Sequence, residues 1–551
     1  MDNPEVDILV HGEGEITFAE LLHAFLNGAD LRNVLGISFR SKESETGYIH
    51  TPSRERIKDL TILPSPFLNG VFDELLERHR AQITGTIWET NRGCPFSCTF
   101  CDWGQATQSK VTIHEQTRLF SELDWMSKNK IPYIFAADAN FGIKERDLQI
   151  AEYLGGLYAA TGYPRYLLIN WMKNSQQKTI SIADALHRTG VGFMVTLSMQ
   201  SFDETTLLAI KRNNIDLHTF ASLKREYNAR GIATYSELLL GLPGETYDSF
   251  TNGLIKVLSP LPTDHFALYL TTVLPNAEMA KPEYREKYGM ETRFTKATVM
   301  RQRTVNRDIY EVDEVIVATK AMPLKDWCRA YRFGYLLRAL HNMRLAFYII
   351  EFLREHYEIS PKDFLEYLIE SARLPGRAPT LAKLLEHLDR YINSILQNKN
   401  SMLPFEEYPD YYWEPHEMCF LVAYHNTKSF YSDLQNLTLD FVTERLGSKE
   451  ELVKEVCLYQ EAASPLNKSK DTFQMAFQFR LLNYFSAVMR DEKNIEISKE
   501  KCILEFDPLY RRYKVLNDLD FLLAAVRSCA SGSIAMCNVT EVKDSLAVVK
   551  C

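Results

Sequence analysis

The 551-residue chain carries 63 Lys+Arg against 72 Asp+Glu, a formal charge of −9, with 46% hydrophobic and 25% charged residues, the balance of a folded globular protein. The acidic excess disfavours non-specific nucleic-acid binding, which depends on Lys/Arg neutralising phosphates; no apolar run reaches the length of a membrane span, and Met1-Asp-Asn-Pro-Glu5 reads as neither a basic nor an apolar leader. Ten cysteines are too few for a disulfide scaffold, and three of them crowd between Cys94 and Cys101, which points to a reducing compartment, the cytoplasm by default, and to a metal or redox role.

In chain order, residues 1–60 predict the end of an α/β domain. Val6–His11 reads as a buried strand, Gly12–Glu15 as a turn and Ile16–Asn27 as a helix, followed by a hairpin of Val34–Arg40 with Gly47–His50. A lone β-α unit of this kind is expected to lack a core of its own. Residues 61–80, with Pro64 and Pro66, read as a linker. Over residues 81–290 short β-branched or aromatic runs alternate with amphipathic helices. The strands are Thr84–Glu89, Tyr133–Ala136, Tyr166–Asn170, Phe193–Met199, Thr234–Leu240 and His265–Thr271; Glu115–Asn129, Arg146–Thr161 and Leu217–Arg230 are the clearest helices. Such alternation implies βαβ units and a parallel sheet, and six units predict an open barrel with its chemistry at the C-terminal strand ends. Residues 291–325 read as an irregular connection with a strand at Glu314–Thr319. Residues 326–551 read as a mainly helical domain: Trp327–His356, Pro361–Ser371, Thr380–Leu396, Tyr431–Arg445 and Thr472–Arg490, then a strand-like tail at Ile495–Phe506 and Tyr513–Leu516.

The strongest chemical signal is Cys94-Pro-Phe-Ser-Cys98-Thr-Phe-Cys101, directly after the first strand of the barrel. Three thiolates at C-x₃-C-x₂-C spacing can hold three irons of a [4Fe–4S] cluster and leave the fourth without a protein thiolate. A zinc site is the competing reading, but it wants a fourth ligand, and the nearest histidines, His79 and His114, lie outside the loop. Further polar residues fall at strand ends. Asp138 and Asn140 follow the second strand; both can accept hydrogen bonds from an ammonium group, or simply shape a turn. Ser198 and Gln200 alternate onto one side of the fourth strand, where buried polar groups need partners. Arg212 reads either as a carboxylate ligand or as a solvated helix end. Glu237, in mid-strand, is costly if buried unpaired, so a cationic partner is expected. Gly241-Leu-Pro243-Gly244-Glu245-Thr246 offers close backbone approach and a helix cap.

On Cys94, Cys98 and Cys101 with the aromatic Phe100 between them, the chain resembles the radical S-adenosylmethionine (SAM) enzymes, whose hallmark is CxxxCxΦC. The resemblance implies an α/β fold: an open (β/α)6 partial TIM barrel with a [4Fe–4S] cluster, whose unique iron chelates SAM and whose reduction yields a 5′-deoxyadenosyl radical. It assigns Asp138 and Asn140 to the SAM amino group, Ser198 and Gln200 to ribose or carboxylate, Arg212 to the carboxylate, Glu237 to an ammonium partner, and Gly241, Pro243 and Gly244 to the adenine side. Val6–Leu22 and the linker resemble the end of the Rossmann-like cobalamin domain in one large class of the family. That domain would need roughly 100 further upstream residues, so cobalamin is expected only where the N-terminal domain is completed. The implied reaction is radical modification of a small-molecule or peptide substrate, methylation included, with electrons from a flavodoxin- or ferredoxin-like donor. A catalytically inactive iron–sulfur- or zinc-stabilised interaction module is the alternative. The C-terminal half has no recognisable motif. Tyr408–Glu417 sets aromatics beside a ligand pair, Cys529, Cys537 and Cys551 could hold an auxiliary cluster, and His341 reads as a core residue.

Overall fold

The computed structural model describes residues 5–103, 110–173, 176–260, 265–297, 310–447, 450–513, 517–530 and 537–542. The chain divides into two units: Met1–Met194 with Asn276–Glu278, and Val195–Pro275 with Met279–Cys551. No helix among the described residues is long and apolar enough to cross a membrane.

In the first unit, β1 (Ile8–Val10), α1 (Gly14–Asn27), β2 (Ile37–Arg40) and β3 (Tyr48–His50) form an antiparallel sheet, order β1-β2-β3, with α1 packed on it. Leu21 and Ala24 of α1 bury with Val34 and Ile37. This corrects two expectations. The segment does have a small core, because the hairpin folds back onto β1, and β1 is not buried: Leu9 and Val10 are 40% and 37% exposed. The predicted linker holds a helix, α2 (Asp73–His79), and buries Phe67 against Trp125.

The remainder of this unit is a parallel sheet, order β4-β7-β8, made of β4 (Thr86–Trp88), β7 (Tyr133–Phe141) and β8 (Tyr166–Trp171). Between β4 and β7 lie the two-residue strands β5 (Asn91–Arg92) and β6 (Thr112–Ile113), paired antiparallel, and helix α3 (Gln116–Lys128). Helices α4 (Arg146–Thr161) and α5 (Gln176–Thr189) follow β7 and β8. Alternation along β7 buries Ile134, Ala136, Asp138 and Asn140 in turn, so a face that starts apolar ends in two polar side chains.

The second unit has its own parallel sheet, order β11-β10-β9, of β9 (Val195–Gln200), β10 (Thr234–Leu240) and β11 (His265–Leu270). Helices α6 (Glu204–Ala209) and α7 (Leu217–Ala229) follow β9, α8 (Tyr247–Leu258) follows β10, and α9 (Pro282–Tyr288) follows β11. Within residues 291–325 the strand expected at Glu314–Thr319 is found as β13 (Val312–Ala318), while the part expected to be irregular supplies its antiparallel partner, β12 (Glu291–Lys296). Where one helix Trp327–His356 was expected, there are two, α10 (Leu324–Leu337) and α11 (Phe347–Tyr357), separated by a π-helical turn at Arg338–Asn342 and by Arg344 at φ 59°.

Helices α12 (Pro361–Ala372) and α13 (Pro379–Leu396), the hairpin of β14 (Leu403–Phe405) with β15 (Tyr408–Trp413), and helices α14 (Pro415–His425), α15 (Thr427–Leu446) and α16 (Glu450–Ala462) complete the helical part. An antiparallel sheet of β16 (Phe473–Phe477), β17 (Cys502–Asp507) and β18 (Asn538–Glu541) then carries α17 (Leu481–Met489), α18 (Leu509–Tyr513) and α19 (Asp518–Ala530) between its strands. The helix expected over Thr472–Arg490 is thus a strand followed by a helix. One continuous core runs from Leu238, Leu240 and Leu254 through Trp327 and Leu337 to Leu388 and Phe420. At α/β level the sequence reading holds: two three-stranded parallel sheets interleaved with helices, then a mainly helical region.

Candidate metal centre

The loop that carries the three cysteines is fixed at its base before any ligand is considered. Pairing of Asn91–Arg92 with Thr112–Ile113 closes it, and Arg56 donates to the Arg92 carbonyl at 2.9 Å and to that of Lys110. Gly93 sits at φ 114°, where a Cβ would lie 1.9 Å from the Lys110 carbonyl oxygen, so glycine is the one residue that fits. Arg92 is clamped by three carboxylates: Glu89 at 2.9 Å, Glu15 at 2.7 Å and Glu13 at 3.2 Å. Burial works against the Glu89 carboxylate, but hydrogen bonds from His114 and Arg92 outweigh it and hold its pKa down to about 2.

On this base Cys94 and Cys98 are buried, Cys101 is half-buried, and none is in a disulfide. The Cys101 amide donates to the Cys98 carbonyl at 3.1 Å, a tight turn. Donors from the next two strands reach the sulfurs. Asn140 Nδ2, at the end of β7, lies 3.2 Å from Cys94 Sγ; Lys173 Nζ, just after β8, lies 3.9 Å from Cys98 Sγ and 5.4 Å from the ring centre of Phe96. Burial raises the Cys101 thiol pKa, with Lys173 pulling it back down. A single zinc ion with bonds of about 2.3 Å would hold its thiolates within about 4 Å of one another. Among the described residues the one trio of ligating atoms within 4.8 Å is Glu414, His416 and Glu417. Three thiols on one loop, with N–H donors reaching two of them, suit a multi-iron cluster. Asn140 Oδ1 is buried without a hydrogen-bond partner among the described residues.

Asp138 is engaged within the protein itself. It is fully buried and accepts from the Thr90 and Asn91 amides at 2.7 and 3.0 Å, from Asn91 Nδ2 at 2.9 Å and from the Thr90 hydroxyl. Burial nevertheless pushes its pKa up to about 6, against those bonds. Both oxygens are engaged by the residues that enter the cysteine loop, so this carboxylate positions the loop. Phe100 is half-buried beside Cys101.

In the second unit, Ser198 and Gln200 near the end of β9, Glu237 in the middle of β10 and Arg212 after α6 come together. Ser198 Oγ donates to Glu237 Oε2 at 2.5 Å, and the two residues are cross-strand partners. Within the protein a hydroxyl thus meets one oxygen of Glu237. Gln200 ends β9 at φ 63°, and its Oε1 is buried with no hydrogen-bond partner among the described residues; a bulky residue held there is strained. Arg212 is not the solvated helix end weighed above but is 4% exposed, bonded to the Ser198 carbonyl and, at 2.7 Å, to Asn214 Oδ1. Gly241 and Gly244 have φ 100° and 89°, and the space beside them is filled by this chain: a Cβ on Gly241 would lie 3.0 Å from the Ile316 carbonyl oxygen, and one on Gly244 3.4 Å from that of Thr205. Pro243 is buried between them. Glu245 accepts from Ser201 at 2.6 Å, while burial raises its pKa to about 8. Thr246 caps α8 in a capping box with Ser249.

Sequence reasoning missed Lys173, for which no motif signals, and the Glu89–His114–Arg92 group, in which His114 lies 25 residues from Glu89 along the chain. The segment Tyr408–Glu417 resolves into strand β15, which holds the aromatics, and the start of α14: Glu414 and Glu417 form a reciprocal cap, Arg338 lies 3.5 Å from Glu414, and His416 stacks on Tyr335. These contacts account for the trio without an ion. His341 is fully buried, 3.3 Å from both Asn342 and Glu351. Cys551, the side chain of Cys529 and residues 514–516 lie outside the described residues.

No family model matches the chain. Among curated proteins it is 39% identical over 370 residues to the cobalamin-dependent radical SAM methyltransferase TokK of Streptomyces tokunonensis, covering 66% of this chain and 54% of that protein. It is 37% identical over 371 residues to the 2-(S-pantetheinyl)-carbapenam-3-carboxylate methyltransferase of Streptantibioticus cattleyicolor, with the same coverage. The chain thus spans about half the length of these curated relatives. Among solved structures, the radical SAM methyltransferase TsrM of Kitasatospora setae matches at 17% identity with a TM-score of 0.41, over 52% of this chain and 58% of that one.

Proposed function

From homology with cobalamin-dependent radical SAM methyltransferases over 66% of the chain, we propose that this protein is a radical SAM enzyme of that cobalamin-related class, modifying an organic substrate through radical chemistry, with methylation the leading reaction. The carrying observation is the Cys94–Cys98–Cys101 loop, with Asn140 donating to Cys94 and Lys173 to Cys98. When bound, a [4Fe–4S] cluster with one open iron supplies reductive cleavage of SAM, and the hard chemistry belongs to the cofactors.

The chain's own residues hold and orient. The three thiolates carry the cluster, and Asp138, Arg56 and the Glu13–Arg92–Glu89 group fix the loop. Asn140 Oδ1 offers an acceptor to the SAM amino group. Ser198, Gln200 and Glu237 present oxygens suited to ribose hydroxyls, and Arg212 braces the strand that carries Ser198. Gly241, Pro243 and Gly244 shape the turn that would flank adenine, and Phe100 packs beside the cluster. In this reading β4, β7, β8 and β9 to β11 are the six strands of an open (β/α)6 barrel, residues 1–60 belong to a cobalamin-type domain, and residues 326–551 close over substrate. Cobalamin binding requires a completed N-terminal domain, and electrons come from a flavodoxin- or ferredoxin-like protein in the cytoplasm.

The test is anaerobic reconstitution with iron and sulfide, reduction, addition of SAM, and quantification of 5′-deoxyadenosine and S-adenosylhomocysteine against Cys98→Ala. Products in the parent and none in the variant are expected. A fully loaded cluster giving neither product, with and without cobalamin, would overturn the reading in favour of an inactive iron–sulfur module.

A further inference from the structure

We propose that Lys173 is a positioning and tuning residue for the cluster: its ammonium group, 3.9 Å from Cys98 Sγ, together with the Asn140 amide 3.2 Å from Cys94 Sγ, raises the reduction potential of the cluster bound by the cysteines. The inference rests on the iron–sulfur reading above. Reduction adds one electron and transfers no atom, and the added charge is shared by the cluster and its thiolate sulfurs. A cation or N–H donor beside a sulfur therefore stabilises the reduced state more than the oxidised one, and the potential rises. The setting strengthens the effect. Cys94 and Cys98 are only 6% and 5% exposed, so water screens the charge weakly. Lys173 is held by chain geometry, one residue pair beyond the end of β8, with its ammonium also over the Phe96 ring at 5.4 Å. Asn140 is the last residue but one of β7 and Lys173 lies two residues past the end of β8, and the two strands are tied together beside them by the Phe141–Trp171 pair and the Met172 amide donating to the Phe141 carbonyl at 2.9 Å. Asn140 has a second task in the proposed function; Lys173 has none, and it isolates the tuning effect.

The experiment is an EPR-monitored redox titration of the reconstituted protein without SAM, comparing the parent with Lys173→Met, Lys173→Gln and Lys173→Arg, each normalised to iron content. The expected order is parent and Arg highest, Gln intermediate through its N–H donors, and Met most negative. Equal midpoints across the series would overturn the proposal. Should Lys173→Met fail to load iron, the Gln and Arg variants decide: a lower midpoint in Gln supports it and equal values refute it. A midpoint shift in a protein that makes no 5′-deoxyadenosine would sink the proposed activity while leaving the tuning role standing.

Discussion

Single residues do unusual work around Cys94. The carbonyl of Lys110 occupies the space a side chain at position 93 would need, so Gly93→Ala must displace the base of the loop; iron and sulfide per chain after reconstitution should fall well below the parent. Asp138 takes four hydrogen bonds inside the same fold of chain. Asp138→Ala leaves buried donors without acceptors and should cost about 3 kcal/mol or more, read as a drop in the denaturant midpoint, with cluster loading lost in parallel. A buried carboxylate of the second unit adds a pH signature. Burial raises the Glu245 pKa from 4.5 to about 8, so the folded state prefers the protonated form. Its contribution to stability is whole below pH 4.5 and is lost as pH rises through about 8. Glu245→Gln, which stays neutral, should therefore gain stability relative to the parent as pH rises from 5 to 9, measured by thermal unfolding at each pH. A constant difference across that range would show that Glu245 does not titrate there.

At the level of elements, the parallel strands were legible because each is a short apolar run bracketed by a helix with a clear face: Thr234–Leu240 is predicted and found with the same bounds. The residues that such a pattern brings to strand ends were legible too, but their partners were not. Nothing along the chain announces that Asp138 meets Thr90 and Asn91, or that Ser198 meets Glu237, since those contacts arise from register. The failures have physical reasons. Phe473, Met475 and Phe477 alternate in the manner of a strand, yet the strand directly abuts α17, and a helical period can be drawn across both. The break between α10 and α11 carries no proline or glycine; it is made by buried polar groups. Glu351 there is 1% exposed and pairs with Arg354 at 2.6 Å and with His341 at 3.3 Å. Removing one partner of such a pair strands the other charge, so Glu351→Ala should destabilise the helical region by about 3 kcal/mol in chemical denaturation, whereas an exposed control such as Glu386→Ala should change stability by less than about 0.5 kcal/mol.

At the scale of the molecule, the N-terminal segment and the cysteine loop are one mechanical piece. Glu13 accepts from the Ile57 amide and from Arg92, and Arg54 reaches Thr17 at 2.8 Å and Glu20. Glu13→Ala should therefore weaken a site whose Arg92 lies 79 residues further along the chain, seen as faster iron loss to a chelator with little change in the unfolding midpoint. The loop hangs from β4, which is three residues long, stands at the margin of its sheet in the order β4-β7-β8, and leaves Ile87 67% exposed. A short ladder with one neighbour opens more readily than a central strand. Amide protons at Ile87 and Trp88 should then exchange with deuterium ahead of those at Ile134 and Ala136, and the order in which the protein fails is set: iron is released by a fluctuation of a few residues long before the chain as a whole comes apart.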